Sequence, residues 1–470
     1  MSRIRSLTLL FAGIALATTP TLGCGGGGGS NGNGGGGNGG GGGGCVSFTE
    51  VHARRVNADV ALRKSDCYHV DESVTVTSGA KLTIQPGTTL SFAEDTSLQI
   101  RGGATISAEG TDSKPITLTG RKESRGFWKG LRLHNTTSVT SRLEHVTVEY
   151  GGGQNGANVT FSNSVKVAVE NSTFQKSGNL GLKASAGTNF TSFQGNELVD
   201  NAAAPAQVHP AAIAELDAST SFSGNGTSAV RVGGGEVAGG EVTWPALGVP
   251  YRVRDNVKIS GEKTAVTIEA GATFAFAEDV GLNVTDKAAF VVQGTSDSKV
   301  VFTGTTEEKG WWGGIALDKT TRSENKFEHA VIEYGGSEKW DFPNGAHPAN
   351  LQLNSPYNAK VHLSIDNTTI RNSSTVGLYA GKFVQLRSFS NNTLESNAGG
   401  SASVHPTDIA GLDPSSTFSR VVTVRGGKIQ EGDVTWPAID PAYRVADNVA
   451  IEGENTSVEI AAGATFRFTD

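Results

Sequence analysis

Apolar and β-branched residues occur in short runs along most of the chain. Examples are Leu82–Ile84, Leu90–Phe92, Leu98–Ile100, Ile116–Leu118 and Leu131–Leu133, with Gly, Asn, Asp or Ser between them. Within the runs, inward apolar positions alternate with outward polar ones, which is the period of a half-buried strand. The pattern therefore predicts many short strands joined by tight turns.

Equivalent apolar positions recur along the chain with a regular spacing. Ile84 is followed by Ile106, and Phe174 is followed by Leu198. Asn and Gly are frequent between the runs because both accept left-handed backbone angles at low cost. These spacings are 22 and 24 residues. A coil of that length with three short strands is typical of a parallel β-helix. Tandem β-sandwiches, the main alternative, need longer strands and Greek-key connections.

A longer repeat is superimposed on the coil period. Ile84–Asp95 (IQPGTTLSFAED) returns as Ile268–Asp279 (IEAGATFAFAED) and again as Ile460–Asp470 (IAAGATFRFTD). The sequence thus predicts two long repeats, residues 68–250 and 251–442, and the start of a third, residues 443–470. At about 4.8 Å per coil, we expect about eight coils per long repeat and a rod roughly 80 Å long.

Residues 1–23 differ from the repeats in character. Arg3 and Arg5 precede an apolar run, Leu7–Ala17, which predicts a signal peptide over residues 1–23. The following TLGC resembles the bacterial lipobox, which implies that Cys24 is lipidated and anchors the protein at the bacterial cell envelope, at the outer membrane or cell surface. Cleavage after Ala17 and free secretion is the alternative.

Residues 24–44 are almost pure Gly after Cys24, so they predict a flexible tether with no buried core. The next segment, residues 45–67, lies outside the repeat and contains Cys45 and Cys67. In an exported protein two such cysteines most often form a disulfide. We therefore expect an N-terminal cap over residues 45–67, with a short helix at Val51–Leu62, stapled to the first coil.

Charge and hydropathy narrow the partner classes. The net charge is −7 and no Lys/Arg-rich run occurs, which argues against nucleic acid as a partner. No apolar run reaches the length of a membrane-spanning helix. The membrane enters the prediction only through the lipid anchor.

The repeated motifs as a set have a family resemblance. IQPGTTLSFAED, GTDSKPITLTG (Gly110–Gly120), GWWGGI (Gly310–Ile315), LEHVTVEYGGG and TWPALGVPYRV resemble bacterial right-handed parallel β-helix repeat proteins of the pectin-lyase-like superfamily. The resemblance covers roughly residues 68–470 and implies an exported, right-handed parallel β-helix solenoid. Enzymes of that superfamily carry clustered Asp, or Asp with Arg or Lys, in one groove, and matching residues are not found here. The sequence therefore predicts no catalytic residue, no metal and no cofactor.

A histidine and a glutamate recur together in both long repeats, and their spacing favours a structural role for these residues. His145 and Glu149 return as His329 and Glu333. Four residues along a strand correspond to about 13 Å, too far for the two side chains to share a metal or a proton. We interpret them as part of the solvated strand surface.

Consecutive aromatic residues are the candidate ligand-binding feature. Phe127-Trp128 matches Trp311-Trp312, and Trp340 lies in an insertion, Glu338–His347, that only the second repeat has. Adjacent strand residues cannot both point inward, so one of each pair should be exposed or lie under a loop. Exposed aromatic rings hold sugars by stacking, so the candidate glycan-binding residues are Trp128, Trp311, Trp312 and Trp340. The alternative is that these rings pack over the coil below.

The leading hypothesis is a non-enzymatic, lipid-anchored surface protein that presents a β-helix rod for binding or adhesion, with polysaccharide as the expected ligand. A polysaccharide lyase or hydrolase with an unrecognised site is the first alternative, and a structural spacer is the second. The third copy of the motif ends with Phe466 and Phe468 on an uncovered coil. We therefore expect either a truncated version of a longer repeat protein or a rod that associates end to end.

Overall fold

The computed structural model describes residues 48–52, 54–63, 67–339, 347–355, 360–430 and 432–469. This part of the chain is a parallel β-solenoid of about 16 turns with only 3% helix, as expected for an all-β, right-handed parallel β-helix. No helix in the described residues is long and apolar enough to cross a membrane. The predicted signal peptide, the Gly-rich tether and the anchor Cys24 lie outside the described residues.

The strands up to residue 208 are β1 (Phe48–Val51), β2 (Arg55–Val56), β3 (Val60–Leu62), β4 (Cys67–Val70), β5 (Val74–Val76), β6 (Lys81–Ile84), β7 (Thr89–Phe92), β8 (Leu98–Arg101), β9 (Thr105–Glu109), β10 (Ile116–Gly120), β11 (Leu131–Glu144), β12 (Val146–Glu149), β13 (Ala157–Glu170), β14 (Thr173–Gln175), β15 (Leu180–Ala184), β16 (Thr188–Gln194), β17 (Glu197–Val199) and β18 (Ala204–Val208).

The next part begins with a 3-10 helix, η1 (Pro210–Glu215), and continues with β19 (Val230–Val232), β20 (Gly235–Trp244), β21 (Tyr251–Val253), β22 (Val257–Ile268), β23 (Thr273–Phe276), β24 (Gly281–Thr285), β25 (Ala289–Gln293), β26 (Val300–Gly304), β27 (Gly314–Asp318), β28 (Lys326–Glu328), β29 (Ala330–Glu333), β30 (Ala349–Asn354), β31 (Val361–Asp366), β32 (Thr369–Arg371), β33 (Val376–Ala380), β34 (Val384–Ser390), β35 (Thr393–Glu395) and β36 (Gly400–Val404).

A second 3-10 helix, η2 (Pro406–Gly411), precedes β37 (Thr417–Phe418), β38 (Val422–Val424), β39 (Gly427–Ile429), β40 (Gly432–Trp436), β41 (Tyr443–Val445), β42 (Val449–Ile451), β43 (Thr456–Ile460) and β44 (Phe466–Phe468).

These strands stack turn upon turn into parallel ladders. Ladder 1 is β1-β4-β7-β10-β12-β14-β17. Ladder 2 is β2-β5-β8-β11-β13-β15-β18-β19-β21-β23-β26-β29-β32-β35-β37. Ladder 3 is β3-β6-β9 followed by the second halves of β11 and β13 and then β16.

Two further ladders begin with β20, near the end of the first long repeat, and continue through the second. Ladder 4 is β20-β22-β24-β27-β30-β33-β36-β38-β41-β44. Ladder 5 runs from the second halves of β20 and β22 through β25, β28, β31 and β34.

The ladders show that one long repeat is not a whole number of turns. The first copy of the repeated motif contains β7 and the second contains β23. The step from β7 to β8 is a third of a turn, and seven further steps along ladder 2 lead from β8 to β23. A long repeat is therefore about seven and one-third turns rather than eight. Each long repeat is rotated by one face of the solenoid relative to the one before it.

The core is a column of apolar side chains inside the coil. In ladder 1, Leu90, Leu118, Val148 and Phe174 occupy the same inward position on successive turns, and all are buried. The turns carry the predicted left-handed residues, for example Asn171 and Asn367 with φ of 49° and 53°. Apolar stacking thus fixes the register of each turn, while Asn and Gly allow the chain to change direction.

Buried asparagines join one turn to the next. The Oδ1 of Asn201 accepts a hydrogen bond from the Ser177 N–H at 3.0 Å, and its Nδ2 donates to the Phe174 carbonyl at 3.0 Å. Asn397 repeats the arrangement in the second long repeat, with Ser373 and Ile370 as partners. Each amide satisfies backbone groups that the tight turn leaves unpaired.

The N-terminal segment differs from the helix expected at Val51–Leu62. That prediction is wrong, because β2 and β3 lie there and pair with β5 and β6. Together with β1, which pairs with β4, they form a turn of the solenoid itself. Parallel pairing satisfies the backbone of this short segment along its length, which a single helical turn on the edge strands would not do.

At the other end of the described chain, three large apolar side chains are exposed. Ile451, Ile460 and Phe468 are 58%, 53% and 77% exposed, while Phe466 is half-buried and stacks on Tyr443. End-to-end self-association stays a prediction.

Candidate functional site

Ladder 2 presents a file of outward side chains across the first long repeat. Strand alternation turns the neighbours of these residues, such as Ile100 and Leu131, into the core. The ladder register places the outward residues on successive turns, about 4.8 Å apart. In order they are Gln99, Arg132, Thr160, Lys183, Gln207, Arg231 and Arg252.

A groove of about 400 Å³ lies over the first half of this file. Its polar lining consists of Gln99, Arg101, Arg132, His134, Asn155, Thr160, Ser162 and Lys183. Asn155 is held at φ 59° in the turn before β13, and this turn forms one wall. The His134 Nδ1 lies 3.2 Å from the Ser162 Oγ, which fixes the imidazole on the other side. We call this feature the repeat-1 groove.

The repeat-1 groove is cationic. Arg101, Arg132 and Lys183 line it, and no Asp or Glu is among its described lining residues. None of the three forms an ion pair with another residue in the described part of the chain. Further along the file, burial and then the charges of Arg254 and Arg252 lower the pKa of Arg231. The file therefore holds positive charges that the protein does not neutralise.

A second, smaller pocket of about 330 Å³ surrounds Trp311. The indole is half-buried, and its Nε1 donates a hydrogen bond to the Thr305 Oγ1 at 3.0 Å. Asp279 lies in the same pocket, where it accepts a hydrogen bond from the Ser337 Oγ and has the Lys339 Nζ 3.8 Å away. Of the aromatic candidates, Trp311 is the one that lines a described cavity.

Two of the predicted glycan-binding residues are instead part of the core. Trp128 and Trp312 have no exposed surface, which corrects the expectation that they stack on a ligand. Each ring stacks on a core Phe, Trp128 on Phe92 at 4.1 Å and Trp312 on Phe276 at 4.3 Å. Trp340 lies outside the described residues.

The indole N–H groups explain how these two rings can be buried. The Nε1 of Trp128 donates to the Glu149 carbonyl at 2.8 Å, and that of Trp312 donates to the Glu333 carbonyl at 2.7 Å. A buried Trp needs such a partner for its N–H. One member of each aromatic pair is thus inward and the other, Phe127 or Trp311, is half-buried.

The other sequence candidates have structural partners or fall outside the described residues. Cys67 is disulfide-bonded, whereas its predicted partner Cys45 and the lipidation site Cys24 are not described. His145 is at a left-handed corner with φ 48°, and its Nδ1 lies 3.1 Å from Asp112. Among the described residues no cluster of three or more His, Cys, Asp or Glu could hold a metal ion.

The recurring glutamates are bonded to neighbouring turns. Glu149 accepts hydrogen bonds from Thr119 and Gln175, and Glu333 pairs with Arg371 at 2.7 Å. Sequence reasoning missed the repeat-1 groove, because each turn contributes only a few residues to it and a long stretch of sequence separates the contributions of successive turns. Only the register of the coils brings them together.

The comparisons agree with the fold. Residues 54–180 match the family model described as "Pectate-lyase like beta helix domain". This match confirms the predicted resemblance to pectin-lyase-like β-helix proteins and includes much of the repeat-1 groove.

Two individual proteins are also similar to this chain. The Protein bark beetle of Drosophila melanogaster is 32% identical over 108 residues, which is 21% of this chain and 3% of that protein. The chain therefore spans only a small part of that relative. The crystal structure of the periplasmic alginate epimerase AlgG aligns over 86% of this chain and 79% of its own, at 11% identity and a TM-score of 0.19. A score this low carries no structural or functional argument.

Proposed function

We propose that this protein is a non-enzymatic β-helix protein that binds an acidic polysaccharide along the repeat-1 groove. The observation that carries the proposal is the file on successive turns of ladder 2, which combines amide side chains with cations that form no ion pair in the described chain. A carboxylate or sulfate on each sugar can meet Arg132 or Lys183, because the file repeats its geometry every turn. Gln99 and Gln207 supply donors and acceptors for sugar hydroxyls.

Other ligand classes fit the groove less well. Its described lining has no Phe, Tyr or Trp on which bases could stack, and the chain is acidic as a whole, so nucleic acid is disfavoured. The polar lining also disfavours an apolar ligand. Acid–base catalysis needs a proton donor or acceptor within about 3 Å of the reacting atom. The described lining has no carboxylate, and the Nδ1 of its imidazole, His134, lies 3.2 Å from the Ser162 Oγ.

The Trp311 pocket supports the polysaccharide as the ligand class. A half-buried indole beside carboxylates and lysines offers a sugar both a stacking surface and hydrogen-bond partners. Its place in the second long repeat makes it a separate subsite from the repeat-1 groove. Among the predicted glycan-binding residues that the structure describes, Trp311 keeps a binding role in this proposal.

Export and lipid anchoring through Cys24 complete the proposal. The disulfide at Cys67 supports an oxidising compartment, since such bonds persist mainly outside the cytosol. A tether between the membrane and the solenoid would then hold the groove away from the lipid surface.

The test is a binding measurement on the full chain with polygalacturonate, heparin and neutral dextran as probes. We expect the two acidic polymers to bind and dextran not to. The double variant Arg132→Gln/Lys183→Gln should weaken binding at least tenfold, since charge-assisted hydrogen bonds are worth about 1.5–3 kcal/mol each. Lys166→Gln is the control, because Lys166 is an exposed lysine on ladder 3, away from the groove.

The outcome also separates the alternatives. Equal binding by the double variant and the Lys166→Gln control would overturn the groove assignment. Release of unsaturated or shortened sugars from the bound polymer would overturn the non-enzymatic role and favour a lyase or hydrolase. No binding of either acidic polymer would favour a structural spacer.

A further inference from the structure

The second long repeat differs from the first at a few positions that lie together in space. Val208-His209-Pro210 aligns with Val404-His405-Pro406, and the ladders pair the next strands, β19 and β38, with these segments in the same register. Four positions near this point carry a different kind of side chain in the second repeat. They are Tyr379 in place of Lys183, Thr407 in place of Ala211, Asp408 in place of Ala212 and Arg425 in place of Gly233.

Several of these side chains contact one another across three turns of ladder 4. Arg425, directly after β38, reaches back to β33, where its Nη1 donates to the Tyr379 hydroxyl and its Nη2 to the Ala380 carbonyl. The guanidinium also lies 4.2 Å from the centre of the Tyr379 ring. His347 stacks on the same ring at 4.1 Å. Arg425 and Tyr379 thus belong to one cluster, and the charge of Arg425 also acts on the nearby Asp408, whose neighbour Thr407 hydrogen-bonds it at 3.1 Å.

The cluster has one net charge that no described residue neutralises. Arg425 is half-buried, yet it forms no ion pair with a described carboxylate, and its Nε has no hydrogen-bond partner in the described part of the chain. Burial raises the pKa of Asp408 to about 8, so this carboxyl is mostly protonated at pH 7. Burial also lowers the pKa of His405 to about 4, which leaves the imidazole neutral. A half-buried cation of this kind is costly unless an anion joins it.

A second observation points to the same place. Gln352 lies one turn before Tyr379 in the outward file of ladder 4. It is 1% exposed, and neither its Oε1 nor its Nε2 has a hydrogen-bond partner among the described residues. Burying a polar group without a partner is unfavourable. Two such groups therefore lie on the turn beside the cluster, where a bound ligand would satisfy them.

We propose that Arg425, Tyr379 and Gln352 form a second ligand site that binds a compact anion, namely a carboxylate or an oxyanion such as sulfate. Arg425 supplies the charge and the unpartnered Nε–H, and the Gln352 amide and the Tyr379 hydroxyl supply further donors. The cluster reaches the surface at Arg425, Thr407 and His347, which are half-buried. The inference does not depend on the repeat-1 groove, because ladder 4 and ladder 2 lie on different faces of the solenoid.

The test is calorimetric titration of the full chain with sodium glucuronate, inorganic sulfate and glucose. Binding of glucuronate but not sulfate identifies an acidic sugar as the ligand, and binding of sulfate but not glucuronate identifies a free oxyanion. Glucose should not bind. Arg425→Gln should weaken anion binding at least tenfold, because it removes the charge and its charge-assisted hydrogen bonds. Arg444→Gln is the control, because Arg444 is an exposed arginine on the same ladder.

Gln352→Leu distinguishes loss of the site from loss of the fold. It removes two unsatisfied polar groups at nearly the same volume, so the variant should be at least as stable as the parent while it binds the anion more weakly. Absence of binding by both anions, or equal affinity of the parent and Arg425→Gln, would overturn the site. The loss of polygalacturonate affinity caused by Arg132→Gln/Lys183→Gln should be the same with and without Arg425→Gln, which separates this inference from the proposed function.

Discussion

The two long repeats share the same succession of strands, but the same outward-facing positions are open to solvent in the first repeat and covered in the second. In the first repeat, Gln99, Arg132, Thr160 and Lys183 are half-buried and line an open groove. The corresponding residues of the second repeat are Asn283, Ala316, Gln352 and Tyr379. The last three of these are at most 7% exposed. The comparison teaches that the scaffold repeats while the binding chemistry does not.

The turn that precedes the third strand of the file, β13 in the first repeat and β30 in the second, also differs between the repeats. In the first repeat the short turn that contains Asn155 forms a wall of the open groove. In the second repeat the insertion Glu338–His347 takes its place, and His347 at its end stacks on Tyr379. Because a long repeat is about seven and one-third turns, the two files also lie on different faces. One straight polymer therefore cannot occupy both.

The largest predicted effect tests what the repeats share. Trp128→Ala and Trp312→Ala should each lower the free energy of unfolding of their own repeat by about 3–5 kcal/mol, because each removes a fully buried stacked ring. Hydrogen exchange resolved along the chain is the measurement, since a solenoid can unfold in parts. Trp311→Ala is the control and should cost less, because Trp311 is half-buried. Equal losses at Trp311 and Trp312 would contradict the inward–outward assignment.

The buried asparagines give a second matched pair. Asn201→Ala and Asn397→Ala should each cost about 1–3 kcal/mol, because each change leaves a backbone N–H and a carbonyl of the previous turn unpaired. The same exchange measurement should show the loss at Ser177 and Ser373 respectively. If protection at these two amides is unchanged, the asparagine bridges do not stabilise the turns.

Each of the two 3-10 helices carries a buried carboxyl group that should make the stability of the protein depend on pH. Burial raises the pKa of Glu215 in η1 to about 7 and that of Asp408 in η2 to about 8. Both folded-state values lie above the unfolded ones, so the folded form holds its proton more tightly. The stability that protonation gives is fully present below about pH 4 and is lost as the pH rises through about 7 for Glu215 and about 8 for Asp408.

The corresponding variants should remove this dependence. At pH 9, Glu215→Gln and Asp408→Asn should each raise the free energy of unfolding by on the order of 1 kcal/mol, and by less at pH 5, where only part of this stability has been lost. Glu215 also accepts hydrogen bonds from the Phe190 N–H and the Asn189 side chain, so its gain should be the smaller one. Denaturant unfolding at the two pH values is the measurement. A parent protein as stable at pH 9 as at pH 5 would refute the assignment.

The sequence was sufficient for the fold because the fold depends on local rules. Alternation at Leu82–Ile84 or Leu90–Phe92 and Asn at the corners are visible in single segments. The helix expected at Val51–Leu62 failed because pairing with β5 and β6, not local preference, decides that segment. Trp128 was misplaced for a related reason: which member of an adjacent aromatic pair faces inward depends on the Phe92 ring one turn below.

The sites could not be predicted in the same way. Arg132 and Lys183, or Tyr379 and Arg425, are two turns apart along the chain, and nothing in the local sequence marks them as neighbours. Their proximity depends on the length of each turn and on the fractional number of turns in a long repeat. Once the register is known, comparison of the two repeats position by position shows where the second departs from the first.

The smallest predicted effect comes from a substitution that gives one position of the first repeat the residue found at the corresponding position of the second. Lys183→Tyr gives the first repeat the residue that the second has at Tyr379, without the arginine that accompanies it there. Stability should change by less than about 0.5 kcal/mol, because the position is outward and half-buried. Affinity for polygalacturonate should fall a few-fold, and its dependence on salt should weaken, because one cation of the groove is lost while Arg132 remains. Affinity titrations at two ionic strengths give both quantities, with Lys166→Tyr as the control. A loss as large as that of the double variant would mean that Lys183 alone carries the charge recognition and that the groove does not act as a file.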